Sequence, residues 1–467
     1  MVGAPVSKVE FPFVDALQTV TAFAKKERMF RRVSRLLVAV SGGGDSLATL
    51  LLLLRLRDEF GFEVLAAHFD HKLRESSLDD LEYVRGVCEG LGVKYISGEG
   101  DVAGAAEQSD EGVEATARRA RYEFLAFAAG KERAEAVATG HTFDDQAETV
   151  LQRVVRGSGV RGLRGMLPVS PLPGAEAIRL VRPLLPLRRE QTLALCSEAG
   201  IEPLTDPSNA DLSMQRNRIR HETLGYLREL NPSVADALVR LAQNARESFA
   251  PVEESSTLTQ PLSRGSEGSV FSRDAVQALS SEARTLIIER ESGFLKTETL
   301  VNSTLLANLD DILRGDAGRV GFGETEVEVS GGLVRIGKLD TGFADVPETV
   351  LTVPGVVAAG GWRITVATDP IPVGEGAIGG TVSMAAACLL LRVRSLRSGD
   401  RVMRPDGARR VSALLADAKV PAWQRRRLIA VATKDAVVAL LGAPEDLLPA
   451  VDAEHALYMQ AEVMESG

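Results

Sequence analysis

The segment Val38–Ser46, VAVSGGGDS, constrains this chain more than any other. An apolar run, Arg35–Val40 (RLLVAV), leads into a serine and three consecutive glycines, and a helical pattern over Ser46–Asp58 follows. Glycines let the backbone turn through positive φ and bring N–H groups against an anion. The N-terminus of the next helix adds roughly half a positive charge. Ser41, Gly42, Gly43, Gly44 and Ser46 therefore read as a phosphate cradle, with Ser46 placed to cap the helix and donate to phosphate. Asp45 stands inside that cradle. A carboxylate beside a phosphate is unfavourable unless a cation bridges them, so Asp45 predicts a Mg²⁺ ligand. Neither the Walker A spacing nor GxGxxG is present.

The alternation continues. Glu63–His68, Val93–Ser97 and Ala134–Thr139 read as strands, and Leu78–Leu91 and Gly112–Ala129 have helical periodicity. Strands separated by helices predict right-handed crossovers and a doubly wound, mostly parallel sheet, with ligands at the carboxyl ends of its strands. Polar clusters fall at those ends. His68–Arg74 reads HFDHKLR, either a capped strand end or part of a site. Thr139–Thr149 reads TGHTFDDQAET, with Thr142 or Asp144 placed to cap a helix. Asp145 and Glu148, three apart, share a helix face. They serve either as dipole partners of a first turn or as a pair for Mg²⁺ or an ammonium group. Between the clusters, Glu114–Tyr122 (EATARRARY) puts Arg118 and Arg121 on one face, as surface arginines or as forks for phosphate or carboxylate.

Further on, Pro168–Gly174 (PVSPLPG) reads as a loop and Ile178–Leu184 as a strand. Leu187–Ala199 and Leu212–Leu230 look helical, and another helix runs from Asn231–Pro232 to about Phe249. The Ser-, Pro- and Gly-rich stretch Ala250–Gly268 reads as a linker. Residues 269–338 mix strands and helices, with a hairpin signal over Glu326–Ile336, and a final unit begins near Asp345. With 467 residues, two to four domains are expected. The reading is a catalytic domain over 1–249, a linker and middle α+β domain over 250–344, and a basic α+β domain over 345–467.

Composition, 45% hydrophobic and 25% charged, excludes a disordered or collagen-like chain. The apolar run Leu47–Leu54 is too short to cross a bilayer, and no signal-peptide pattern opens the chain. Cys88, Cys196 and Cys388 lie far apart, which argues for a reducing compartment and against a disulfide framework or a CxxC metal site. A cytoplasmic protein with no membrane partner is expected. The net charge of −10 hides two basic stretches: Arg392–Lys434 carries 12 Lys/Arg against 3 Asp/Glu, and Arg153–Glu190 carries 8 against 2. A polyanion senses charge within about 8–10 Å, so a nucleic-acid face is compatible with an acidic protein. Such runs are otherwise solvated surface. Trp423, beside Arg425–Arg427, is either core or a stacking platform for a base.

SGGGDS at the first strand–helix turn is similar to the PP-loop of ATP pyrophosphatases, a doubly wound fold of the adenine nucleotide alpha hydrolase type. The resemblance implies ATP cleaved between its α and β phosphates, with an adenylated intermediate. The ordered set HFDHKLR, EATARRARY, ATGHTFDDQAET and Arg156–Met166 (RGSGVRGLRGM) closely resembles tRNA(Ile)-lysidine synthases. The resemblance continues through Arg182–Leu185 (RPLL), Asp206–Asn209 (DPSN), Arg216–Arg220 (RNRIR) and Leu391–Pro405, and is weakest over 250–345.

It implies that ATP activates C2 of the wobble cytidine in a tRNA(Ile) with anticodon CAU, and that L-lysine then attacks, giving lysidine and AMP. Residue by residue, it assigns Ser41–Ser46, His68 and Arg118 to ATP, with Asp45 as the Mg²⁺ ligand. It assigns Asp45, Arg121 and His141 to catalysis, and Asp145 and Glu148 to the lysine amino groups. It assigns Arg216, Asn217, Arg220, Arg392, Arg394, Arg401 and Arg425 to tRNA. A homodimer is consistent with the same resemblance. Competing readings are a PP-loop tRNA thiolase, disfavoured by the absence of cysteines near the motifs, PP-loop amidotransferase partners, which lack RNRIR, and a non-catalytic tRNA-binding protein.

Overall fold

Residues RLLVA form the strand β1 (Arg35–Ala39), at the centre of a six-stranded sheet. Its side chains alternate between two cores. Leu36 and Val38 pack with Val20 of α1 (Val14–Lys26) and with Leu47 and Leu50 of α2 (Gly44–Phe60). Leu37 packs on the other face with Tyr122, Leu125 and Ala128 of α5 (Val113–Glu132). Covering both faces is what a parallel sheet requires. Helix α2 is apolar around nearly its whole circumference, with Leu47, Leu50–Leu53 and Leu56 all buried, as a helix enclosed on all sides must be. It ends at Gly61, φ +73°, whose N–H bonds back to the Arg57 carbonyl.

The computed structural model describes residues 14–72, 77–107, 112–204, 215–339, 345–372, 377–383, 390–404, 407–444, 447–448 and 456–463. They fall into two compact units, Met1–Ala250 and Pro251–Gly467. The remaining elements of the first unit are β2 (Glu63–Asp70), α3 (Ser77–Gly90), β3 (Lys94–Glu99), α4 (Val102–Glu107), β4 (Ala136–Ala138), α6 (Phe143–Val155), α7 (Val160–Leu163), β5 (Val169–Leu172), β6 (Ala175–Val181) and α8 (Arg189–Glu198). Helices α9 (Gln215–Arg218) and α10 (Leu224–Leu230), joined by a π-helical turn, lead into α11 (Val234–Leu258), which continues past Ala250 into the second unit. The sheet order is β3-β2-β1-β4-β6-β5, parallel throughout except for β5. The chain moves outward to β2 on one side of β1 and to β4 on the other. The carboxyl ends of β1 and β4 therefore flank the topological switch point, where such sheets bind ligands.

Two expectations need correction. PVSPLPG is not a loop: β5 and β6 form an antiparallel hairpin, with Pro171 opposite Arg179. An edge strand tolerates proline because the missing N–H faces no ladder partner. The stretch 250–268 is not a linker either, because α11 runs through Pro251 to Leu258. The hydroxyls of Ser255, Ser256 and Thr257 donate to the carbonyls of Val252, Glu253 and Glu253, at 2.8–2.9 Å, so these residues satisfy themselves within a helix. The segment Asp206–Asn209 lies outside the described residues.

Among the described residues the second unit holds three sheets. One pairs Ser263–Gly265, Gly268–Ser272, Leu333–Lys338, Thr325–Ser330 and Ala317–Phe322 in that order, and the expected hairpin is its Thr325–Lys338 arm. Helices Ser281–Leu295 and Ser303–Arg314 cover it through Ile287, Ile288, Leu309 and Leu313. The other two sheets share a core of Trp362, Ile364, Val393, Ile429, Val431 and Leu457.

Candidate active site

The turn after β1 is shaped by its glycines. Gly42 has φ +87°, and a Cβ there would stand 2.6 Å from Leu204 Cδ1. Ser46 does not cap the helix; the N-cap is Gly43, which has no side chain to offer. Ser46 Oγ instead ties the turn, donating to the Gly43 carbonyl at 2.8 Å and accepting from the Ser41 N–H at 3.1 Å. The Ser46 N–H donates to the Gly43 carbonyl at 3.1 Å, which leaves the Gly44 and Asp45 N–H groups at the start of α2 without an intrahelical acceptor or a capping side chain. That is the electrostatic form of an anion cradle. His68, buried at the end of β2, donates from Nδ1 to the Val40 carbonyl at 2.8 Å. It braces the strand from which the turn springs.

The turn after β4 lies directly against the first. A Cβ at Gly140 would be 2.7 Å from the Asp45 carbonyl oxygen. Thr142 then caps α6 in a capping box: the Thr142 N–H donates to Asp145 Oδ2 at 2.8 Å. This fixes the Asp145 carboxylate at the strand ends, with Glu148 one turn on; both are buried.

These acids do not stand alone. Arg189, the first residue of α8, donates from Nε to Asp45 Oδ2 and from Nη2 to Asp145 Oδ1, each at 3.3 Å. Thr192 Oγ1 donates to Asp45 Oδ1 at 2.5 Å. Arg216 reaches Asp145 at 2.8 Å and Glu148 at 3.1 Å, and Arg220 holds Glu148 at 2.5 and 3.0 Å. Burial raises the Asp45 pKa, opposed by Thr192 and Arg189 and assisted by Asp145. Burial also works against the Asp145 carboxylate, yet Arg216 and Arg189 outweigh it and its pKa falls below the usual range. Arg189 and Thr192 were not singled out from the sequence. They sit about 145 residues from Asp45, and no local pattern links them to it.

Arginines also surround the neighbouring His141. Burial lowers the His141 pKa to about 3; Asp145 opposes this, while Arg182, Arg216 and Arg121 add to it. His141 is therefore a neutral imidazole near pH 7, held by a hydrogen bond of 2.8 Å between its Nδ1 and Thr139 Oγ1. It is a polar donor or proton acceptor. Arg121 and Arg118 flank the Tyr122 ring at 5.6 and 4.9 Å, with Arg118 exposed.

The residues expected on tRNA divide differently. Arg216 and Arg220 turn inward onto the acids, and Asn217 is buried. Much of the basic stretch 153–190 braces its own backbone: Arg153 donates to the Gly162 and Gly165 carbonyls, and Arg182 to that of Leu167. In the second unit, Arg394 forms a two-bond pair with Asp400, Arg392 pairs with Glu348, and Arg425 binds the Val420 carbonyl. Trp423 is core, 7% exposed. Arg401 is exposed, on a hairpin whose other strand, Gly407–Arg410, is exposed along its whole length. Sequence counts charge; it does not say which guanidinium already has a partner.

Among the described residues no three His, Cys, Asp or Glu side chains gather as a metal cage. Asp45 and Asp145, joined through one guanidinium, still suit Mg²⁺, which is usually held by one or two carboxylates with water and phosphate oxygens.

A parallel sheet whose first strand delivers a glycine turn into a helix N-terminus, with acids and arginines from the neighbouring strand end, defines a PP-loop ATP-binding protein. Residues 15–227 match the PP-loop domain family. The chain is 38% identical over 240 residues to the tRNA(Ile)-lysidine synthase of Dehalococcoides mccartyi, covering 51% of each chain. It is 29% identical over 423 residues to that of Bacillus cereus, covering 88% of each. The chain thus spans about half the length of the first relative and most of the second. A solved U34-tRNA thiolase from Methanococcus maripaludis is similar at 18% identity, with a TM-score of 0.41, over 49% of this chain and 78% of that one.

Proposed function

We propose that this chain ligates L-lysine to C2 of the wobble cytidine of a CAU-anticodon tRNA(Ile), using ATP. The observation that carries this reading is the contact of two strand ends. An anion cradle, Ser41–Ser46, meets a buried pair of acids, Asp145 and Glu148, across the Gly140–Asp45 approach. A triphosphate and an amine therefore have adjoining places.

The cytidine O2 attacks the α-phosphate of ATP, pyrophosphate leaves, and the base becomes adenylated. The lysine ε-amino group then attacks C2, the C–O bond to AMP breaks, and the amine loses a proton. The turn and the α2 N-terminus hold the departing phosphates. Arg121 and Arg118 face the charge that develops on phosphate and base. Asp145 and Glu148 bind the amino groups of lysine, exchanging guanidinium partners for ammonium. Neutral His141 is placed to accept or pass the amine proton. Asp45, with Asp145, would hold Mg²⁺, which neutralises phosphate charge when bound.

For tRNA, the reading now rests on Arg401 and its exposed hairpin, with 345–467 as the tRNA-gripping region and 250–344 as a middle domain. A cytoplasmic homodimer completes the proposal. Incubation with ATP, radiolabelled lysine and CAU-anticodon tRNA is expected to put label in the RNA. No label, with tRNA still bound, would favour a non-catalytic binder.

A further inference from the structure

Asp45 and Asp145 belong to different strand ends, and a single guanidinium spans them. Arg189 touches both at 3.3 Å, longer than the roughly 2.7–2.9 Å of a strong charge-assisted bond. Its backbone, by contrast, is pinned: its N–H donates to Asp144 Oδ2 at 2.8 Å. The side chain is 31% exposed, whereas Asp145 is 8% exposed. Asp145 also keeps Arg216 and Arg220, but among the described residues the ion pair of Asp45 is with Arg189. A loosely held, accessible cation thus sits on the carboxylate of the residue within the Ser41–Ser46 turn, while its helix stays fixed.

We propose that Arg189 is the resident counter-cation of the Asp45–Asp145 pair, a positioning residue that keeps the two acids in place in the nucleotide-free protein and releases Asp45 to an incoming divalent cation. The inference rests on the metal role proposed for Asp45. Metal binding then competes with an internal ion pair, so the site stays discharged until metal and nucleotide arrive. The side chain that leaves Asp45 remains beside the cradle, free for an anion.

The test uses the full-length, nucleotide-free protein and Mn²⁺ alone, followed by the electron paramagnetic resonance signal of free Mn²⁺. R189Q removes the charge and keeps a hydrogen-bonding side chain. It is expected to bind Mn²⁺ about fivefold more tightly than wild type, the worth of one partly exposed ion pair. R189K keeps the charge and is expected to stay within about twofold of wild type. R189A is expected to match R189Q and serves if R189Q does not fold. A merely structural Arg189 predicts the opposite sign, weaker binding in every variant. Unchanged or weaker binding in the neutral variants overturns the proposal. Wild-type protein that binds no Mn²⁺ overturns both it and the metal role of Asp45. Lysine labelling of tRNA reads the ligation separately, so the two readings fail independently.

Discussion

Gly140 lies so close to Asp45 that a methyl group on its Cα would stand 2.7 Å from the Asp45 carbonyl oxygen. The obstacle is backbone, the first turn of α2, and it cannot rotate aside. The two turns that form the site are thus held at a separation that only glycine allows. G140A is expected to cut ligation by about a hundredfold, since displacements of about 1 Å have that effect, while tRNA binding is kept. Steady-state labelling and filter binding measure the two.

Asp45 is the one acid inside the cradle. Asp45→Ala is expected to lower the ligation rate by about 10²–10³-fold, with tRNA affinity unchanged in a filter-binding assay. Activity equal to wild type would remove the metal role.

Glu148 is 3% exposed and balances two arginines. Glu148→Gln leaves those guanidiniums short of a counter-charge and removes one anchor for the lysine amine. The expected result is a KM for lysine raised at least about tenfold with a smaller change in kcat, and a loss of about 3 kcal/mol in urea unfolding.

The histidines set a pH dependence. Burial holds His141 at about 3 and His71 at about 4, below the ordinary 6.5. Between those values the unfolded chain binds protons that the folded chain refuses, so stability is full above pH 6.5 and falls as pH drops toward 4 and then 3. Asp145, lowered as well, adds loss of the same sign in the acid range. Urea melts at pH 7, 5 and 4 should show the decline, and H141N should flatten it.

On the exposed hairpin of the second unit, Arg401 and Arg410 stand opposite each other in the ladder. Charge reversal at either is expected to weaken tRNA binding several-fold and to reduce the salt slope by about one. R394A should instead lower stability, because Arg394 is 11% exposed and paired with Asp400.

The PP-loop half of this chain was legible because its signals are local. The Val38–Ser46 turn, the β1 and β4 strand ends and the Asp145–Glu148 spacing each depend on residues a few positions apart. Prolines misled at β5, where an edge strand tolerates them, and serines misled at α11, where their hydroxyls bond to the preceding turn. The arginines were the hardest to place. Arg189, Arg216 and Arg220 look alike in sequence to Arg401, yet three meet acids brought from elsewhere in the chain and one meets solvent. Only the fold distinguishes a spent charge from an available one.

The two tryptophans of the sequence, Trp362 and Trp423, are both buried and both belong to Pro251–Gly467. Indole emission is therefore a built-in optical label for that half alone. A fluorescence melt will follow its collapse and stay dark to the nucleotide half, whose unfolding must be read from tyrosine or circular dichroism.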